Sequence, residues 1–99
     1  MIKVIYYYSQ MPRVEIRGHA LFSSYGRDIV CSAVSSLSQF VAEILKREGV
    51  GDYNKADGYL EIKVTKSTDF SIKMIYYLIE SLKSISKDYP RNIKVEVRS

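Results

Sequence analysis

The sequence predicts an α+β fold: a two-layer sandwich in which two helices cover one face of a four-stranded, largely antiparallel or mixed sheet. The prediction rests on two segments with helical apolar spacing, four segments that are β-branched or alternate in polarity, and their order along the chain, ββαβαβ. The chain has 99 residues, 46% of them apolar, which suits one hydrophobic core. We therefore expect a single domain over residues 1–99 and exclude a two-domain enzyme.

The first two predicted strands form a hairpin at the start of the chain. Residues 2–8 are mostly β-branched and aromatic, and residues 13–17 form a second short segment of the same kind. Between them, residues 9–12 are polar and end in a proline, which is typical of a turn.

The first helix is predicted over residues 29–48, where apolar residues recur at spacings of three and four. Its apolar stripe consists of Val30, Val34, Leu37, Val41 and Ile44. Gly49 ends the helix, and the polar, glycine-flanked stretch 51–58 is expected to be a loop.

The remaining elements are a strand, a helix and a closing strand. Residues 60–65 alternate between apolar and polar side chains, which predicts a half-buried strand, and residues 93–98 repeat that pattern. Between them we expect a helix that starts at a cap formed by Thr68 or Asp69 and ends at Lys87. Its apolar stripe consists of Ile75, Leu78, Ile79, Leu82 and Ile85.

The sheet face away from the helices is predicted to be net basic. It carries Lys3, Arg13, Arg17, Lys63, Lys94 and Arg98 against Glu15, Glu61 and Glu96. Mixed charge of this kind is typical of an ordinary solvated face. Ile5 and Tyr7 would also point outward from the first strand, and apolar residues there would suit a homodimer contact.

Composition excludes several classes of protein. One cysteine, Cys31, and one histidine, His19, are too few for a disulfide scaffold or a structural zinc site, so no metal or cofactor is expected. No apolar run approaches the roughly 20 residues of a membrane span and no signal peptide is recognisable, so we expect a cytoplasmic protein without membrane association. A net charge of +4 favours acidic partners such as RNA or ribosomes.

Cys31 and His19 are the candidate catalytic residues. Cys31 falls in the first turn of the predicted helix, where unpaired backbone amides and the positive end of the helix dipole favour a thiolate. An imidazole at His19 can act as general base and then as proton donor to a leaving amine. A lone cysteine in an apolar helix is more commonly a buried structural residue. Strict strand alternation also places His19 away from the helix side, so the pair requires either a bend at Gly18 or a site assembled at the end of the sheet.

Two neighbours of the cysteine have candidate supporting roles. Asp28 is expected to cap the helix, with orientation of His19 as its alternative role. The backbone amides of Cys31 and Ser32 are candidate donors to the oxyanion that forms during acyl transfer.

The segment between the histidine and the helix, residues 21–27, is short, polar and contains glycine. We expect it to act as a mobile lid over the substrate. Its candidate substrate-binding residues are Phe22, Tyr25 and Gly26, and packing of Phe22 onto the core is the alternative for that residue.

Four blocks of sequence, at residues 18–20, 26–35, 58–60 and 82–90, carry a resemblance that spans nearly the whole chain. The first holds Gly-His-Ala, the second combines a glycine with Asp-Ile-Val-Cys and Ala-Val-Ser, and the last ends in Tyr-Pro. In these blocks the sequence resembles the ribosomal-processing cysteine protease family, Prp. The chain has Ser32 where alanine is common in that family.

The resemblance implies a cysteine endopeptidase that removes a short N-terminal extension from the precursor of large-subunit ribosomal protein twenty-seven. It places the nucleophile at Cys31, the histidine at His19 and the family's aspartate at Asp28. It further implies a small α+β protein without a metal that forms a homodimer. For the reaction we expect a thioester intermediate on Cys31, and the net charge adds association with the ribosome as an expectation.

Two other functions remain open on the residues alone. A non-enzymatic module that binds ribosomes or RNA would explain the net charge, the basic sheet face and the tyrosines. A redox-sensing thiol at Cys31 would need a thiol from a partner protein, because the sequence offers no second cysteine.

Overall fold

The structure, a computed structural model, describes residues 1–18 and 25–99, with side chains at these positions other than 25–28. The elements of the described part are β1 (Ile2–Tyr7), β2 (Arg13–Arg17), α1 (Tyr25–Arg47), β3 (Gly51–Ala56), β4 (Tyr59–Val64), α2 (Asp69–Asp88) and β5 (Ile93–Arg98).

The strands form one five-stranded mixed sheet in the order β3-β4-β2-β1-β5. The β1–β5 pair is parallel, and the other three pairs are antiparallel. The α+β class with two helices is confirmed, but the expectation of four strands was wrong, because the stretch 51–58 contains β3 instead of a loop. As an edge strand β3 pairs only with β4 and is largely exposed, so it can fold without a run of apolar residues.

β3 and β4 are joined by a two-residue turn. Ala56 pairs with Tyr59 across the strands, which leaves Asp57 and Gly58 as the connection. Gly58 has a φ of +68°, a backbone conformation that glycine adopts without a steric cost. Asp-Gly is a strong hairpin signal in sequences, and here it lay inside the stretch that was expected to be a loop.

Both helices pack on one face of the sheet. α1 lies over the β3 side, α2 lies over the β5 side, and the two helices contact each other. The core between the layers includes the fully or almost fully buried side chains of Val4, Val14, Leu45, Ile62, Ile75 and Leu82. On α2, Ile75, Leu78, Ile79 and Leu82 are buried as predicted. On α1 the predicted stripe was partly wrong: Val30, Val34 and Val41 are buried, but Leu37 is 36% exposed and Ile44 is half-buried, because the buried face runs through Ala42 and Leu45 instead.

The N-terminus of α2 is closed by a capping box. The Thr68 hydroxyl accepts a hydrogen bond from the Ser71 amide at 3.0 Å, and the Ser71 hydroxyl accepts one from the Thr68 amide at 2.9 Å. Of the two caps considered, Thr68 is therefore the N-cap residue, and Asp69 is the first residue of the helix.

α1 begins at Tyr25, earlier than the predicted start at residue 29. Its segment Ile29–Arg47 is long and apolar enough to cross a membrane by length and composition, contrary to the expectation from the sequence. The same segment buries Val30, Val34 and Leu45 in the core, which is the behaviour of a core helix in a folded domain.

The sheet face opposite the helices carries the predicted charged residues, with one difference. Ile5 lies on this face but is only 6% exposed. Its cross-strand neighbours are Glu15 and Glu96, and Glu15 is itself buried beneath arginine side chains. Ile5 therefore offers no apolar contact surface to a second subunit.

Candidate active site

A cavity of about 510 Å³ opens between α1 and the ends of β2, β3 and β4. Cys31, Ser35 and Gln39 line it from α1, at the four-residue spacing that places side chains on one face of a helix. Its opposite wall consists of Ile16, Gly18 and the hairpin residues from Lys55 to Leu60.

Cys31 lies at the boundary between this cavity and the core. Its side chain is partly exposed, and it packs against the buried cluster on its other side. The thiol is therefore neither sealed in the core nor on the outer surface of the helix. A peptide held in the cavity would lie against the sulfur.

Gly18 brings the end of β2 to the same cavity. Its amide donates a hydrogen bond to the Gly58 carbonyl at 2.9 Å, and its φ of +96° takes the backbone out of the extended strand conformation. A bend at Gly18 is one of the two arrangements that would allow Cys31 and His19 to form a pair. His19 follows Gly18 directly and lies outside the described residues.

The lid residues proposed from the sequence also lie beyond what the structure describes. Phe22 falls in the stretch 19–24, and Tyr25 and Gly26 are described only as backbone positions of α1. Their predicted role in substrate binding stays a prediction.

The earlier start of α1 corrects three expectations about its first turns. Asp28 is the fourth residue of the helix and so is not its N-cap, which leaves orientation of His19 as its candidate role. Cys31 and Ser32 lie in the second turn, where helix geometry pairs their amides with carbonyls four residues earlier. Those two amides are therefore not free to bind an oxyanion. The sequence misplaced the start of α1 because Gly26 and Asp28 are residue types that commonly precede a helix.

Polar contacts join α1 to β3, and one of them lies at the rim of the cavity. The Lys55 ammonium donates a hydrogen bond to the Gln39 side-chain oxygen at 2.9 Å. Further along, the Tyr53 hydroxyl donates to the Glu43 carboxylate. This hydrogen bond lowers the pKa of Glu43 and raises the pKa of Tyr53. The two contacts fix the edge strand to the helix that carries Cys31.

Sequence reasoning did not identify Ser35, Gln39 or Lys55 as cavity residues. A signal for the first two was present, because they follow Cys31 at intervals of four on a predicted helix. Lys55 lay in the stretch that was expected to be a loop. Among the described residues, no group of three His, Cys, Asp or Glu side chains is arranged to hold a metal ion.

Comparison with known proteins places this geometry in a family. The family model described as cysteine protease Prp matches residues 1–94. The chain belongs to this family. A Bacillus subtilis (strain 168) relative, the ribosomal processing cysteine protease Prp, is 29% identical over 90 residues, which cover 82% of this chain and 80% of the relative.

Solved structures that are similar to this chain share its fold. The Staphylococcus aureus ribosomal processing protease Prp with a covalently linked product peptide superposes with a TM-score of 0.83 at 26% identity, covering 99% of this chain and 100% of that one. Streptococcus mutans SMU.848 has a TM-score of 0.84 at 24% identity, covering 99% of this chain and 94% of that one. The chain is thus a cysteine protease of the ribosomal-processing family.

Proposed function

We propose that this Prp family member is an endopeptidase that uses Cys31 as nucleophile and His19 as general base. Its proposed substrate is the precursor of large-subunit ribosomal protein twenty-seven, from which it removes the N-terminal extension. The observation that carries the proposal is the position of Cys31, the only cysteine in the sequence, on the wall of a cavity of about 510 Å³. The only histidine in the sequence follows Gly18, which lines the same cavity.

The proposed reaction is acyl transfer in two stages. The Cys31 sulfur attacks the scissile carbonyl carbon while His19 takes up the thiol proton. His19 then gives that proton to the leaving amine as the C–N bond breaks, which leaves a thioester on Cys31. Water attacks the thioester, with His19 as base, and releases the new carboxylate and the free thiol.

The developing oxyanion needs hydrogen-bond donors that are free in the resting enzyme. In α1 the unpaired backbone amides belong to the first turn, which begins at Tyr25. Helical side chains tilt toward the N-terminus of their helix, so the Cys31 sulfur is directed toward that turn. We assign the oxyanion donors to the amides of this turn.

The shape of the cavity suits an extended peptide. Its wall opposite α1 carries apolar side chains, among them Ile16 and Leu60, and its rim is polar at Gln39 and Lys55. An apolar or aromatic residue next to the scissile bond would contact the apolar wall, with the peptide backbone toward the rim.

The test is cleavage of the purified precursor, followed by mass spectrometry of the products. The wild-type protein should shorten the precursor at one bond, Cys31→Ala should leave it intact, and His19→Ala should slow cleavage by about 10²- to 10⁴-fold. Ser36→Ala, a change at an exposed position of the same helix, is the matched control and should cleave like the wild type. Undiminished cleavage by Cys31→Ala would refute the assigned nucleophile.

A homodimer, a cytoplasmic location and association with ribosomes complete the proposed function. Because Ile5 is buried, the dimer contact is assigned to exposed aromatic residues of α2, Phe70, Tyr76 and Tyr77, which are between 43% and 58% exposed. Light scattering should give twice the chain mass for the wild type and less for Tyr77→Glu. A wild type that is monomeric at every concentration would refute the dimer. Fractionation of cells and sedimentation with ribosomes test the other two assignments.

A further inference from the structure

The sheet face opposite the helices, here called the open face, has its charges arranged in rows across the strands. Strand register places Arg17, Lys3 and Lys94 side by side on β2, β1 and β5. A second basic row, parallel to the first, consists of Lys63, Arg13 and Arg98, with Tyr7 between the two arginines. The acidic row between them consists of Glu61, Glu15 and Glu96.

The central carboxylates of the acidic row lie beneath the arginines. The Glu15 side chain is 7% exposed, whereas those of Arg13 and Arg17 are 34% and 57% exposed. Arg13 reaches Glu15 at 2.6 Å and Glu61 at 3.0 Å, and Arg17 reaches Glu15 at 2.8 Å. The three rows hold six basic and three acidic side chains, so they are net basic, and over the centre of the face an approaching molecule meets mainly guanidinium and ammonium groups.

The first basic row contains two cations with no acidic partner. Lys3 lies directly opposite both Arg17 and Lys94, and like charges in opposite positions destabilise a sheet. Among the described residues, neither Lys3 nor Lys94 forms an ion pair, and both are exposed. This arrangement costs stability in the isolated protein and is expected where the row binds an anion.

We propose that the open face binds RNA through its phosphate backbone. Adjacent residues within a row are about 4.8 Å apart, and the two basic rows are about 13 Å apart, so an anion that spans them must carry repeated charges. A nucleic acid backbone has charges at regular short intervals, whereas a single carboxylate group would engage one row only.

The aromatic side chains of this face support phosphate contacts over base stacking. The Arg13 guanidinium lies 3.9 Å from the centre of the Tyr7 ring, and that of Arg17 lies 5.1 Å from the centre of the Tyr59 ring. Each ring therefore has a cation over one of its faces, which leaves less of the ring available for stacking on a base. Binding should consequently depend on charge and salt and show little sequence preference.

The open face is separate from the cavity that holds Cys31, which lies on the helix side of the sheet. RNA on one face and a peptide in the cavity can therefore be bound at the same time. The inference does not depend on the identity of the nucleophile or of the protein substrate.

Fluorescence anisotropy with a labelled single-stranded RNA oligonucleotide, measured at several salt concentrations, tests the proposal. Phosphate contacts by four of the six basic side chains, Arg17, Lys3, Lys94 and Arg13, predict a slope of log K against log salt of about −3. The double variant Lys3→Gln/Lys94→Gln removes the two unpaired cations, so the slope should become shallower by about 1.4, and the affinity at about 0.1 M salt should fall about 25-fold. The charge-matched control, Lys83→Gln/Lys87→Gln on α2, should bind like the wild type.

Three results would overturn the proposal. The first is that the wild type does not bind RNA in the micromolar range, and the second is that both double variants lose RNA affinity equally. The third is that poly-glutamate displaces the RNA as readily as unlabelled RNA does. Circular dichroism checks that both variants are folded. Cleavage of a short precursor peptide should be unchanged in Lys3→Gln/Lys94→Gln, so failure of RNA binding and failure of the proposed protease function are distinguishable.

Discussion

The amide of Gly18 donates a hydrogen bond to the carbonyl oxygen of Gly58 over 2.9 Å, which joins the end of β2 to the turn between β3 and β4. Both glycines have positive φ, and both line the cavity that contains Cys31. A Cβ atom on Gly18 would also collide with the carbonyl oxygen of Met1. The positive φ and the close approach of the Met1 carbonyl together require glycine at the position before His19.

Gly18→Ala should therefore destabilise the protein by about 3 kcal/mol, because positive φ and the collision with Met1 act together. Gly49→Ala is the matched control: Gly49 has a φ of +70°, but an added Cβ would meet nothing within 4 Å. This control should cost about 1 kcal/mol. Urea denaturation measures the free energy of unfolding of both variants. Equal losses of stability would show that the close approach of Met1 contributes nothing.

The buried carboxylate on the open face gives stability a defined pH dependence. Hydrogen bonds from Arg17, and to a smaller extent from Arg13, lower the pKa of Glu15 against the opposing effect of burial. A carboxyl group whose pKa is lower in the folded state than in the unfolded chain stabilises the folded state. This contribution is complete when the pH is above the pKa in the unfolded chain, about 4.3, and it is lost as the pH falls toward the pKa in the folded state.

Glu15→Gln should cost about 1 kcal/mol near neutral pH, a small loss because Arg13 and Arg17 remain in contact with water. The difference in free energy of unfolding between the wild type and Glu15→Gln should shrink as the pH is lowered below about 4.3. Urea denaturation at a series of pH values measures this difference. Glu80→Gln, which removes an exposed helix carboxylate 3.5 Å from Lys83, should change stability by less than about 0.5 kcal/mol. A difference between wild type and Glu15→Gln that is constant with pH would contradict the linkage.

The cap of α2 provides a stability prediction confined to one hydroxyl group. Thr68→Ala removes the acceptor of the Ser71 amide, together with a hydroxyl that donates to the Ser71 hydroxyl at 3.2 Å, and should cost about 1 kcal/mol in urea denaturation. Thr68→Ser keeps the hydroxyl and should cost much less. If the serine variant were as unstable as the alanine variant, packing of the threonine methyl group would be the cause instead.

Elements with clear periodicity could be predicted from the sequence, and the polar edge strand could not. β1, β2, β4, α2 and β5 lie where alternation or helical spacing placed them, because each of them buries one face. β3 buries little, so hydrophobic alternation is absent and its pairing with β4 provides most of its structure. The Asp57-Gly58 pair was the available signal for that hairpin.

The cysteine of the candidate site could be predicted from the sequence, but most of the residues around it could not. Sequence reasoning singled out Cys31 near the start of a helix, but an aspartate at position 28 looks like a cap whether the helix starts before or after it. The Gln39–Lys55 contact joins residues of α1 and β3, and depends on a strand that local sequence did not reveal. Similarly, the depth at which Glu15 lies beneath its arginines depends on cross-strand packing and not on charge count.

Access to the cavity can be changed without touching Cys31. Ser35 lies one helical turn after the cysteine and lines the same cavity, so a tryptophan there would occupy space that an extended peptide needs. Ser35→Trp should lower kcat/KM for precursor cleavage at least about tenfold and slow alkylation of Cys31 by iodoacetamide. The alkylation measurement needs no protein substrate, so it reports on the cavity whatever the substrate is.

Ser36→Trp is the control for that substitution, because Ser36 is the next residue along the helix and faces solvent. It adds the same side chain to the same helix and should leave both cleavage and alkylation close to the wild-type rates. Thermal denaturation of the two variants separates blocked access from unfolding. If Ser35→Trp is folded and processes the precursor at the wild-type rate, the substrate does not reach Cys31 through this cavity.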